Sequence, residues 1–161
     1  MNMTHYMGLL ADNQPWNLII FMAIPVIFAE TITVTEFFIL FNRNFKGGLR
    51  TFNKICSILA GFYFTGIFVY LFSTAFIPLT ANGEWHTWVD VVAVSFYLSG
   101  VLFLLPLALL ELGLIGRKKT EEEKMKLHFL FVSGFLVVAH IAMIFGMVNP
   151  EIIGGMAGMK M

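Results

Sequence analysis

Apolar positions fall into four continuous runs, Asn17 to Phe41, Ile55 to Leu79, Trp88 to Ile115 and Leu127 to Val148. Each meets the roughly 20 residues that an α-helix needs to cross a bilayer. Backbone amides and carbonyls must be satisfied internally in lipid, and unbroken runs do not alternate as barrel strands do, so the pattern predicts helices. Turn and charge clusters separate them. Asn42 to Lys54 holds the Gly47-Gly48 pair, Pro78 to His86 holds the Asn82-Gly83 turn signal, and Arg117 to Lys126 is densely charged. Short loops make successive helices antiparallel neighbours. Thr120, with Glu123 three residues on, has the spacing of a capping box that starts the last helix. The reading is an all-α integral membrane protein: one antiparallel four-helix transmembrane bundle spanning residues 1–161, without internal repeat or second domain.

Composition narrows the class. Charged residues make up only 12% of the chain and apolar ones 58%, whereas a soluble domain is about a quarter charged. A soluble enzyme and a disordered chain are thereby excluded. Net charge is zero, so nucleic acid finds no basic face. The single cysteine, Cys56, excludes a disulfide framework and a Cys-based zinc site.

Charge distribution predicts orientation. Nine of the ten Lys and Arg residues lie in two stretches, Arg43 to Lys54 and Arg117 to Lys126. The positive-inside rule puts both in the cytoplasm and both termini outside, with Trp16, Trp85 and Trp88 at the outer boundary. No Lys or Arg precedes Arg43, so no cleavable signal is expected and the first span directs insertion. The expected location is the inner (cytoplasmic) membrane of a prokaryotic-type cell, as a multi-pass protein.

Ionisable groups at mid-membrane cost roughly 2.5–3.5 kcal/mol each on insertion scales and are functional candidates. Glu30, Thr33 and Glu36 form an arc on the first span. Asp90, Tyr97, Leu104 and Glu111 recur every seven residues on the third. Tyr63, Gly66, Tyr70 and Ser73 form a stripe on the second; Ser133, His140, Met143 and Met147 share a face of the fourth. All four stripes are expected to point inward. The central site is Glu30, Thr33 and His140, with Glu30 and His140 within about 3 Å of the mid-plane at 1.5 Å rise per residue and facing each other. Glu36, Glu111 and His128 form an inner polar group, Asp90 and Tyr97 an outer one. Plainer readings stand beside these. Glu30 and His140 would make a structural hydrogen bond. Glu36 would pair with Arg43 or Arg117. Asp90 and Glu111 would reach the interface, and His128 would be a solvated boundary residue.

Methionine suggests a metal. Six of the ten Met residues lie in the tails, among them Met3 and Met7 beside His5. Met143 and Met147 continue the series above His140. Thioether and imidazole ligands suit a soft ion such as Cu(I), although Met is also common apolar filler. The Met143-x-x-x-Met147 pair resembles the paired methionines of the high-affinity copper uptake family. That family has three spans and a Gly-x-x-x-Gly in the last; here there are four runs, and Gly154 to Gly158 lies beyond them. His128 and His140, twelve residues apart with Gly134 midway, resemble half of a membrane b-type cytochrome. That resemblance implies haem b on His140, with a Met or a second copy completing the ligation.

No phosphate loop, nucleophile elbow or His-Glu-x-x-His motif occurs, and an enzyme is not expected. The leading expectation is permease-like handling of a proton or transition-metal ion, with lipid as environment and a homo-oligomer or partner subunit completing a narrow core. A haem-binding electron-transfer subunit and a non-catalytic accessory subunit are the alternatives.

Overall fold

A computed structural model describes residues 4–149. Among these the chain forms five helices and no strand: α1 (His5–Ala11), α2 (Trp16–Asn42), α3 (Gly48–Asn82), α4 (Trp88–Glu111) and α5 (Glu121–Met147). The last four are each long and apolar enough to cross a membrane. The protein is a multi-pass helical membrane protein, its outward face in contact with lipid. Each helix packs on the next, and α5 closes back on α2, which makes a four-helix bundle. Met3, one of the expected soft ligands, lies outside the described residues.

Two of the differences between helix boundaries and apolar runs bear on the site. Helix α3 begins at Gly48 rather than Ile55, so Arg50, Asn53 and Lys54 sit on the helix, not in a loop. Helix α4 stops at Glu111 rather than Ile115, because Gly113 adopts φ +75°, which only glycine takes freely. Helix α5 starts where its cap predicts. The Thr120 hydroxyl accepts from the Glu123 amide and the Glu123 carboxylate accepts from the Thr120 amide.

Proline shapes the opposite end. Pro25 has no N–H, so the carbonyls one turn earlier lose a helical donor, and the chain opens into a π-helical turn at Ile19–Ala23. Neighbouring helices repair the loss. The Tyr97 hydroxyl donates to the Phe21 carbonyl at 2.5 Å, and the Tyr63 hydroxyl to the Ile20 carbonyl at 2.9 Å. Lipid offers no other donor.

Small residues set the helix crossings. A Cβ on Gly61 of α3 would lie 2.5 Å from the Leu104 carbonyl and from Ala108 Cβ on α4, so only glycine allows this approach. At the N-terminal end, Thr4 accepts from the Met7 amide to cap α1 and donates to the Gly146 carbonyl at 2.7 Å. The first helix is thereby tied to the last turn of α5, and the two ends of the described chain meet at one face.

Candidate functional site

The bundle carries two polar groupings, one at the end with the basic loops and one at the end where α1 docks. Between them lies an apolar layer that includes Ile32, Phe64, Leu104 and Val132, all buried.

The basic-end site is built on all four spans. Helix α2 buries the face of Ala29, Ile32, Glu36 and Ile39, and α5 brings His128 to it. His128 Nδ1 lies 2.9 Å from Glu36 Oε2, and neither side chain is exposed. His128 Nε2 lies 2.8 Å from Ser57 Oγ and 3.4 Å from Glu111 Oε1. Arg50 Nη2 donates to both Glu111 oxygens at 2.9 Å. Asn53 donates to Thr35 Oγ1 at 2.8 Å and to the Ile32 carbonyl at 3.0 Å.

Proton positions follow from this network. Ser57 spends its one hydrogen on the Asn53 carbonyl at 2.8 Å, so it accepts from His128 Nε2–H. The Nδ1–Glu36 contact then contains one further proton, either on the ring, giving an imidazolium–carboxylate pair, or on the carboxyl. Both forms fit the same geometry. Arg50 and Glu111 form a second balanced pair beside it. Among the described residues, Glu36 Oε1 and Asn53 Oδ1 are buried without a hydrogen-bond partner, as are Arg50 Nε and Nη1. Arg50 and Glu111 also line a cavity of about 230 Å³ that includes Lys54, Glu121 and Lys124. The Glu36–His128 pair thus connects through Glu111 and Arg50 to a charged vestibule.

The other end holds a second constellation. The His5 amide donates to Asp90 Oδ1 at 2.7 Å, and His5 Nδ1 contacts Asp90 Oδ2. His86 stacks on the His5 ring with centroids 4.1 Å apart, and Trp85 meets that ring edge-on. Asp90 is buried in the first turn of α4. Below this group, Met7, Met22, Met143 and Met147 share a cavity of about 280 Å³ with Tyr6 and Leu10. Tyr6 is packed on Gly146, and burial pushes its hydroxyl up to about 12.

Against these positions the sequence reading divides. The α4 stripe of Asp90, Tyr97, Leu104 and Glu111 is buried throughout. Glu36, Glu111 and His128 come together as one group. Neither Arg43 nor Arg117 is the partner of Glu36, and His128 is buried rather than solvated. The central pair does not form. Glu30 and His140 are both exposed on the outer surface of the bundle, and His140 Nδ1 donates to the Leu136 carbonyl of its own helix at 2.6 Å. Thr33, half-buried, donates to the Ala29 carbonyl of its own helix. The α3 stripe of Gly66, Tyr70 and Ser73 also faces outward, as does Met147. The metal ladder is split: His5 turns to Asp90, Met7, Met143 and Met147 line an apolar cavity, and His140 belongs to neither.

The reason for the missed pair is physical. Glu30 and Glu36 are six residues apart, about 120° around a helix at 100° per residue, so one buried stripe admits only one of them. Helix α2 is apolar on every side, so depth was legible and azimuth was not. Arg50, Asn53, Ser57 and His86 were missed as site residues. Arg50 and Asn53 fell in what read as a loop, and the signal that finds them is that α3 extends before its apolar run.

An all-helical, multi-pass membrane protein with a buried ionisable cluster is therefore the class that fold and site define. The chain belongs to a family of unknown function, DUF6803, whose family model matches residues 1–161. No curated protein and no solved structure matches it.

Proposed function

We propose that this protein handles protons within the membrane, through the Glu36–His128 pair, without catalysing covalent chemistry. One observation carries the reading: a carboxylate and an imidazole, both fully buried and on two different spans, lie 2.9 Å apart, one residue away from an arginine-lined vestibule. Intramembrane ionisable pairs of this kind mark proton relays and ion paths. Glu111, 3.4 Å from His128, is the next acceptor, and Arg50 holds that carboxylate in place. The apolar layer beyond Glu36 makes this a site loaded from one side at a time. The vestibule side is the cytoplasmic one by the positive-inside rule, since it carries Arg50, Lys54 and Lys124.

In proteoliposomes containing a pH-sensitive dye, an imposed membrane potential is expected to drive proton movement, slowed at least tenfold by Glu36→Gln in protein that still folds. Flux no greater than in empty vesicles, or unchanged by Glu36→Gln, would overturn the reading. Orientation in the inner membrane is checked separately. A cysteine in place of Lys119 should resist an impermeant thiol reagent added to intact cells, and a cysteine in place of Asn82 should react.

The proposal includes self-association. Glu30 and His140 are the polar members of two lipid-facing stripes, Ile27, Val34, Phe37 and Phe41 on α2, and Leu130, Val137 and Ile144 on α5. A second copy that sets His140 against Glu30 would cover both. Their surface position supports this oligomer over a haem site.

A further inference from the structure

We propose that His5, His86 and Asp90 form a binding site for a divalent transition-metal ion of the borderline class typified by Zn²⁺. This site is independent of the proton reading, lying at the other end of the bundle and on other residues. Its three side chains come from α1, the loop after α3 and the first turn of α4. Each offers one ligand atom, and these atoms all lie within 4.8 Å of one another. A tetrahedral ion with bonds of ~2.0–2.2 Å needs donors about 3.4 Å apart, so an ion would enter by parting the His5 Nδ1–Asp90 Oδ2 contact and drawing His86 in. His86 is exposed on the loop and the His5 ring is partly exposed, so His86 can move in and the His5 ring can turn while its amide stays bonded to Asp90.

The donor set selects the ion. Two imidazoles and one carboxylate suit Zn²⁺ and its borderline neighbours, whereas Cu(I) prefers thioethers and thiolates. The methionines expected to supply a soft site, Met7, Met143 and Met147, line the separate apolar cavity beneath. Three protein ligands leave a fourth position open, as in sites that exchange a ligand rather than closed structural ones.

The surroundings fit a prepared site. Asp90 is fully buried and its Oδ1 already accepts from the His5 amide at 2.7 Å, so the carboxylate is oriented before any ion arrives, as outer contacts orient metal ligands elsewhere. Burial grades from Asp90 at the base to His86 at the mouth, giving an ion a route from the aqueous side. Helix α1 supplies His5 and is anchored by Thr4 to Gly146, so the site joins the N-terminal helix to the third and fourth spans.

The test is Zn²⁺ titration of the purified, chelator-stripped full chain in lipid nanodiscs, read by calorimetry and by Trp85 fluorescence. Wild type is expected to bind one equivalent. His86→Ala, at an exposed position, is expected to keep the metal-free melting temperature and lose affinity at least tenfold; His5→Ala is expected to lose at least as much affinity, with a lower metal-free melting temperature because it takes the ring partner from buried Asp90. A Met143→Leu/Met147→Leu variant should bind Zn²⁺ as wild type does. The proposal fails if wild type does not bind Zn²⁺, if His86→Ala and His5→Ala bind as wild type, or if binding is lost only with the methionines.

Discussion

Glu111→Leu is expected to destabilise the protein by about 3–5 kcal/mol, the cost of removing one partner from a buried ion pair. Arg50 is the reason. Its Nη2 bonds both Glu111 oxygens at 2.9 Å, and its side chain is only 10% exposed. A guanidinium cannot escape burial by releasing its proton, so it would stay charged against helices α3 and α4. Glu121 lies 3.8 Å away but is 45% exposed, and a pair in solvent contributes at most ~1 kcal/mol. Arg50→Met/Glu111→Leu should recover most of the loss, because apolar residues of similar volume replace both charges. Denaturant or thermal unfolding in a fixed detergent measures all three. A double variant as unstable as Glu111→Leu would show that the pair is not what the single change breaks.

Replacing Glu30 or His140 by leucine separates two accounts of the outward surface. If either group faces lipid alone, its replacement should favour insertion of that helix, by about 2.5–3.5 kcal/mol for a charged group on insertion scales, and leave self-association unchanged. If a second copy covers them, each single change should weaken self-association at least tenfold, about 1.4 kcal/mol. The double change should then add little, since both remove the same contact. The second outcome is the one expected. His140 spends Nδ1 on the Leu136 carbonyl, leaving Nε2 as an acceptor directed away from its own helix. Glu30 and His140 lie on two helices that pack on each other, so in a two-fold dimer each copy's Glu30 would meet the other copy's His140, as residue i meets j and j meets i across such an interface. Single-molecule photobleaching in lipid, or crosslinking at graded dilution, reads the association. A wild-type protein that is monomeric throughout would refute the interface.

The sequence alone determined the number of spans and their order along the chain. Four runs of sufficient length, punctuated by Gly47-Gly48, Asn82-Gly83 and the Arg117 to Lys126 cluster, specify four spans because lipid leaves the backbone no alternative to helix. The start of α5 was legible for the same local reason: the Thr120–Glu123 box is satisfied within one turn. The buried α4 stripe was legible because four residues at heptad spacing stay on one face. Tertiary structure decided azimuth. Helices α2 and α5 are apolar on all sides, so nothing in either run distinguishes the face of Glu36 and His128 from the face of Glu30 and His140. Packing chose: α2 buries Ala29, Ile32, Glu36 and Ile39 against α3 and α5, and Glu30, about 120° away, is turned out. It also brought together groups far apart in the chain, Arg50 with Glu111 and His5 with Asp90. Those pairings come from helix crossings as close as Gly61 on Leu104 and from the docking of α1, and no local spacing encodes them.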